Sequence, residues 1–217
     1  MEKEDTVLVF AGGYGDWARA LSYGCKVHYT DVSREMKKYA RYRKPGRVKD
    51  FRTRRAELLV RRPNLFDWSF SFEPIPVGSE QSIVFVRSLL NRKGCKIAFR
   101  QDIPGIVRHI KWIAGMYGAS CSIETPTITS LVDNQRTPIK INVITLRTNK
   151  TAREKAWLDV RVLRELQRAA KQKKVISRKA LCLKLGSTPQ KLGYCLERID
   201  TITPEFAKEL QSDYLKP

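Results

Sequence analysis

Five cysteines are scattered through the chain (Cys25, Cys95, Cys121, Cys182, Cys195), and no two form a C-x-x-C pair. An odd, dispersed set of thiols argues against a disulfide framework and against a zinc site of the usual spacing. Each reads as a small buried hydrophobe in a reducing, cytoplasmic setting. Histidine is nearly missing: His28 and His109 are the only two, far apart in sequence, and both read as structural. No metal is expected. No long apolar run, signal peptide or lipidation motif is present, so a membrane is not an expected partner. Acids are also scarce, with 22 Asp and Glu against 42 Lys and Arg, a formal charge of +20. Such an excess repels itself, and it is usually tolerated because the partner is polyanionic. Nucleic acid is therefore the leading partner.

What is present suffices for a packed protein. Hydrophobic residues make up 42% of the 217 residues, enough for one α/β domain plus an appendage, or for one large domain. The segment 6–10 (TVLVF) is a short β-rich apolar run, expected as a buried strand. It leads into Ala11-Gly12-Gly13-Tyr14-Gly15 and then a helical segment over 16–23, stopped by Gly24. A second strand is expected over 26–32, and a helix capped by Ser33 from Arg34 to about Arg43, broken at Pro45-Gly46. Further strands are expected over 56–60, 66–72, 95–99, 122–131 and 139–147, with helices over 78–92 and 106–117. Strands separated by helices imply a mainly parallel sheet covered on both faces. Two final strands joined by 132–138 without a helix imply an antiparallel terminal hairpin.

The polar stretch 148–153 (TNKTAR) marks an expected domain boundary, giving domains 1–150 and 151–217. The second domain is all helix by pattern. Trp157, Val160, Leu163 and Leu166 recur at helical spacing. Ser177 caps a helix through Leu185, Gly186-Ser187 turns the chain, Thr188-Pro189 opens a helix through Ile199, and Thr203-Pro204 opens a last one. Two short helices joined by a glycine-containing turn form a helix-turn-helix arrangement. The segment resembles winged-helix domains, although no wing hairpin is evident after Ile199. Leu181, Leu185, Leu192 and Leu196 are its expected core, and Gln190, Lys191, Tyr194 and Arg198 its expected exposed face.

A strand feeding a glycine-rich turn and a helix gathers backbone N–H groups and the positive helix end at one point. Asp31 closes the second strand sixteen residues after Gly15, where a carboxylate can accept both ribose hydroxyls of an adenosine. A plain strand-to-helix connection without ligand is the alternative. At these residues the chain resembles the class I S-adenosylmethionine-dependent methyltransferases, a Rossmann-like family. Val7-Leu8-Val9-Phe10-Ala11-Gly12-Gly13-Tyr14-Gly15-Asp16-Trp17-Ala18 looks like that family's first motif and 27–33 (VHYTDVS) like its second. Residues 66–74 look like its fourth-strand segment, and the terminal hairpin fits its antiparallel last strand. The resemblance covers 6–147. It implies S-adenosyl-L-methionine as cofactor, held by Ala11, Gly12, Gly13, Gly15, Asp31, Ser71 and Phe72. Val9 stands where the family usually has an acid, and Ala11 replaces its first glycine. Phe72-Glu73-Pro74-Ile75 replaces the Asn/Asp-Pro-Pro-aromatic of the adenine- and cytosine-N-methylating members, and no Pro-Cys pair offers a C5 nucleophile. Gly13, Gly15 and Ala18 also satisfy G-x-G-x-x-A, the fingerprint of an NAD-linked oxidoreductase.

Methyl transfer is an in-line displacement in which positioning supplies much of the acceleration. Glu73, at the carboxyl end of a central strand, is the candidate catalytic residue, as base or as hydrogen-bond partner of the acceptor; a solvated acid is its bland alternative. Trp17 and Phe72 can stack on a base or simply pack. Ser71 lacks a His/Asp partnership and is no nucleophile. Between Arg34 and Arg62 thirteen Lys/Arg face three acids, a net +10 in 29 residues. Tyr39, Tyr42 and Phe51 are interleaved there, which suits phosphate contact with base stacking. Within this stretch Arg41, Arg43, Lys44, Arg47, Arg52, Arg54, Arg55, Arg61 and Arg62 are expected to bind nucleic acid. In the C-terminal module Lys173, Lys174, Arg178, Lys179, Lys191 and Tyr194 are expected to join them. The reading is a methyltransferase acting on nucleic acid, RNA slightly ahead of DNA. The alternatives are a non-catalytic nucleic-acid-binding or regulatory protein on a degenerate methyltransferase fold, and an NAD-linked enzyme.

Overall fold

The computed structural model describes residues 6–10, 26–30, 52–53, 68–71, 82–100, 105–132 and 135–216. Four short strands, β1 (Thr6–Phe10), β2 (Lys26–Thr30), β3 (Arg52–Thr53) and β4 (Trp68–Ser71), precede helix α1 (Ile83–Ser88) and strand β5 (Cys95–Arg100). These five strands are parallel neighbours in the order β3-β2-β1-β4-β5. Helix α2 (Ile106–Tyr117) returns the chain to β6 (Ser120–Glu124), after which β7 (Thr127–Val132) and the long β8 (Gln135–Arg147) complete the sheet. The second half of β8 lies between β5 and β6, antiparallel to both. Its first half pairs with β7.

Local sequence accounts for much of this. Ile106, Ile110, Ile113, Ala114 and Tyr117 recur at helical spacing and are buried. Gly94 opens β5 with φ 88, and a Cβ there would meet the Leu146 carbonyl oxygen at 2.6 Å. Only glycine allows β8 to approach so closely.

Several expectations are corrected. A two-residue strand at Arg52–Thr53, which was not expected, pairs with β2; the strand expected over 56–60 lies outside the described residues. The strand expected over 122–131 is divided, because Thr125-Pro126 interrupts Ser120–Val132; Pro126 has no N–H to give the ladder, and its carbonyl accepts instead from Ile141 N at 3.1 Å. Strand β8 begins at Gln135 rather than at 139, and β7 ends at Val132. The helix expected to run to Arg92 ends at Ser88, where a turn follows.

Beyond the sheet, α3 (Lys150–Gln172) starts at an Asn149 side chain that accepts from Ala152 N at 2.7 Å. The chain then forms β9 (Ile176–Ser177), α4 (Arg178–Leu185), α5 (Pro189–Ile202), α6 (Pro204–Tyr214) and β10 (Leu215–Lys216). Ser177 and Thr188 cap α4 and α5 through their hydroxyls, and Gly186, at φ 60, ends α4. The region is not all helix, since β9 and β10 pair in parallel. Leu181, Leu185, Leu192 and Leu196 are buried as expected. Val160, Leu163 and Leu166 are buried, but Trp157 is not part of the core; it is 45% exposed, and Ala152 and Ala156 extend the buried stripe instead. Helix α3 packs on α1 and α2 as well as on α4, α5 and α6. One continuous cluster of buried residues therefore runs from Ile83 to Leu210.

Candidate functional site

In a parallel sheet the groups that bind ligand emerge from the carboxyl ends of the strands. Here Phe10, the last residue of β1, is register partner of Thr30 at the end of β2 and of Ser71 at the end of β4. Ser71 in turn faces Phe99, one residue before the end of β5. Four strand ends are thus level. The chain leaves three of them directly into Ala11, Asp31 and Phe72. Antiparallel β8 runs past this edge, because Arg100 pairs with Ile141 while residues 135–140 continue beyond it with β7. Six residue pairs at about 3.4 Å per step make a two-stranded ribbon overhanging the carboxyl edge by roughly 17 Å.

Ser71 sits at this edge and Arg52 in the border strand β3, opposite His28. Ala11, Gly12, Gly13, Gly15, Asp31, Phe72 and Glu73 lie outside the described residues, as do Arg41, Arg43, Lys44, Arg47, Arg54, Arg55, Arg61 and Arg62. Lys173, Lys174, Arg178, Lys179, Lys191 and Tyr194 are all exposed, Tyr194 by 56%. Between 171 and 191 there are seven Lys/Arg and no acid. One of the seven is committed elsewhere: Lys184 Nζ lies 2.5 Å from Glu165 Oε2. Both Glu165 carboxylate oxygens also accept from Arg168 Nη1, at 2.8 and 2.9 Å.

Arg198, expected on the exposed face of α5, instead turns inward. Its Nη2 and Nε donate to the two oxygens of Asp159 at 2.5 and 2.9 Å, and the Tyr117 hydroxyl donates to Asp159 Oδ2 at 2.5 Å. The guanidinium also lies 5.6 Å from the centre of the Tyr117 ring. Burial, then the Asp159 charge, holds the Tyr117 phenol well above its ordinary range, so it remains a donor. Burial and then Asp159 also push the Cys195 thiol far up, leaving it inert. This buried network ties α2, α3 and α5 together, and periodicity over leucines and tryptophan passed it by. The legible signal was an acid, Asp159, set within the stripe of Ala156, Val160 and Leu163.

His109 is buried, with Nε2 3.0 Å from the Ser82 hydroxyl and its ring stacked on Trp112 at 5.6 Å. Burial lowers its pKa. Among the described residues no group of three His, Cys, Asp or Glu is placed to hold a metal, and no helix is long and apolar enough to cross a membrane.

No family model matches the chain, and no curated protein matches it in sequence. Solved structures do match. A precorrin-6y C5,15-methyltransferase from Geobacter metallireducens superimposes with a TM-score of 0.50 at 10% identity, over 69% of this chain and 82% of that one. The fold is shared with that enzyme. An rRNA methylase from Streptococcus thermophilus gives 0.46 at 13% identity, over 68% and 90% of the two chains. A precorrin 8w decarboxylase from Methanobacterium thermoautotrophicum gives 0.44 at 12%, over 66% and 82%. At such identities the likeness is one of fold.

Proposed function

We propose that the protein transfers a methyl group from S-adenosyl-L-methionine to a nucleic acid, RNA slightly ahead of DNA. The observation that carries this is the sheet itself: an antiparallel strand stands between β5 and β6, whereas a dinucleotide-binding sheet of order 3-2-1-4-5-6 is parallel throughout. That difference favours the methyltransferase reading over an NAD-linked one, as does the fold shared with a precorrin methyltransferase. The donor chemistry fits the cofactor. In this reading Gly13 and Gly15, having no Cβ, are the residue type that lets a ligand reach backbone N–H groups, Ala11, Gly12 and Phe72 follow the ends of β1 and β4 in sequence beside Ser71, and the Asp31 carboxylate suits two ribose hydroxyls. When bound, the cofactor supplies an electrophilic methyl group on a sulfonium. Glu73 is assigned to hydrogen-bond the acceptor or take up its proton, and the overhanging ribbon supports an acceptor held against this edge. The basic residues between Arg34 and Arg62 and the α4–α5 face, a helix-turn-helix in this reading, suit a phosphate backbone.

Val9 and Ala11 favour a second reading, a nucleic-acid-binding protein that no longer takes the cofactor. Calorimetric titration separates the two. Wild-type protein should bind S-adenosylmethionine or S-adenosylhomocysteine, and Asp31→Ala should weaken binding by about 1–3 kcal/mol, the range for a hydrogen bond to a charged group. No heat of binding at millimolar cofactor would sink the enzymatic reading and leave the second.

A further inference from the structure

The helices after residue 150 are fastened at the edge of the sheet opposite the candidate site. Helix α2 runs from the carboxyl end of β5 back toward the start of β6, so Tyr117 and Gly118 stand at the amino edge. Ser120 there pairs with Arg147, and Cys95 with Leu146. Three polar attachments of the C-terminal helices are made at this level. Asn149 Nδ2 donates to the Gly118 carbonyl at 3.0 Å, the Thr148 hydroxyl donates to the Asn91 carbonyl at 3.1 Å, and Arg198 of α5 reaches Tyr117 through Asp159. From Phe99 to Cys95 is four residue steps, or about 13 Å at the strand rise.

We propose that Lys173, Lys174, Arg178, Lys179, Lys191 and Tyr194 form a remote anchor. In this proposal they grip the phosphate backbone of the same nucleic acid whose acceptor group is presented at the carboxyl edge. It rests on the reading of that edge given above. The charge distribution points the same way. The anchor's five cations lie in a stretch without an acid, while the exposed acids after α3, Glu197, Asp200, Glu205, Glu209 and Asp213, fall on the end of α5 and on α6, where Lys208 is the one exposed cation among the described residues. A polyanion is drawn to one side of the module and repelled from the other. A solvated helix face needs no such segregation of sign. Tyr194, exposed among the cations, adds a ring on which a base can stack. The buried Asp159 network and the shared core hold the anchor at a constant distance from the sheet. At 3.4 Å per base pair, a duplex meeting both surfaces spans more than about four base pairs.

The test is fluorescence anisotropy of the full-length protein with labelled RNA and DNA duplexes of about 24 base pairs and, as the short probe, hairpins with a stem of about 4 base pairs, at several salt concentrations. The probe protein carries Lys173→Ala, Lys174→Ala, Arg178→Ala and Lys179→Ala together, all at exposed positions. Wild type should prefer the long duplex, because the second contact is then intramolecular. The quadruple variant should lose at least tenfold on the long duplex and change by less than about threefold on the short one. Its slope of log K against log salt on the long duplex should flatten by about 2 to 3.6, up to 0.9 for each phosphate no longer neutralised. An unchanged preference for the long duplex, or an equal loss on both lengths, overturns the anchor. RNA-only, DNA-only or dual binding identifies the source of the phosphates. Cofactor titration is read separately: a missing cofactor site with the length effect intact upholds an anchor on a binding protein and removes the methyl-transfer reading.

Discussion

Asp159 concentrates the energetics of the C-terminal half in one carboxylate. Asp159→Ala removes both acceptors of the Arg198 guanidinium and the acceptor of the Tyr117 hydroxyl. Removing one partner of a buried pair costs about 3–5 kcal/mol, because the remaining charge is left uncompensated in a poorly polarisable site. The Arg198 side chain keeps 15% of its exposure, so water relieves part of the cost and the lower end, about 3 kcal/mol, is expected. For a chain of this size that is about 6–12 °C in melting temperature, at about 2–4 °C per kcal/mol. Urea denaturation measures it directly, with the slope checked so that a change in midpoint reports stability alone. The reasoning also fixes the behaviour of the double variant. Asp159→Leu with Arg198→Met replaces both charges by apolar groups and should be less destabilised than Asp159→Ala by itself, since no charge is stranded. A single-variant loss below about 1 kcal/mol would refute the argument, as would strictly additive losses in the double. Either would mean that Arg198 is satisfied by solvent and that the network does not fasten α5 to α2.

Two further outcomes follow from local geometry. Gly94→Ala combines a left-handed backbone with a Cβ 2.6 Å from the Leu146 carbonyl oxygen, and should destabilise by about 1–3 kcal/mol; equal denaturation midpoints for the two proteins would contradict that close approach. His109 has its pKa lowered from 6.5 by burial, so the unfolded chain binds a proton that the folded one resists. Stability should therefore fall as pH drops below about 6.5 and be retained above it. His109→Gln should flatten that dependence; an unchanged profile would assign it to other groups.

Legibility in the sequence followed the range of the interaction. The bounds of α2, the Ser177 cap and Gly186 end of α4, and the Thr188-Pro189 opening of α5 were readable in advance. Each depends on contacts within a turn of helix, between residues three or four apart. The strand end at Phe10 was nearly as clear, because a β-branched and aromatic run stops there at turn residues, and β4 falls within the strand expected over 66–72. The residues of the expected cofactor turn, with Asp31 and Glu73, lie outside the described residues, so for them only the level strand ends next to them can be compared with the motif.

The rest was decided between distant parts of the chain. Nothing local in Arg198 distinguishes a cation facing solvent from one turned toward Asp159, since its spacing fits the exposed stripe as well as the buried one. Trp157 has the hydrophobicity of a core residue, yet the buried face of α3 is taken by Ala152, Ala156, Val160 and Leu163, and the indole stays outside. The insertion of β8 between β5 and β6 depends on register partners dozens of residues apart and on Gly94 letting two backbones meet. Sequence alone determined where the chain turns, caps and alternates, because those are short-range steric and hydrogen-bonding choices. The tertiary structure alone decided which edge of the sheet carries the helical module, because that follows from which buried polar groups found partners across the fold.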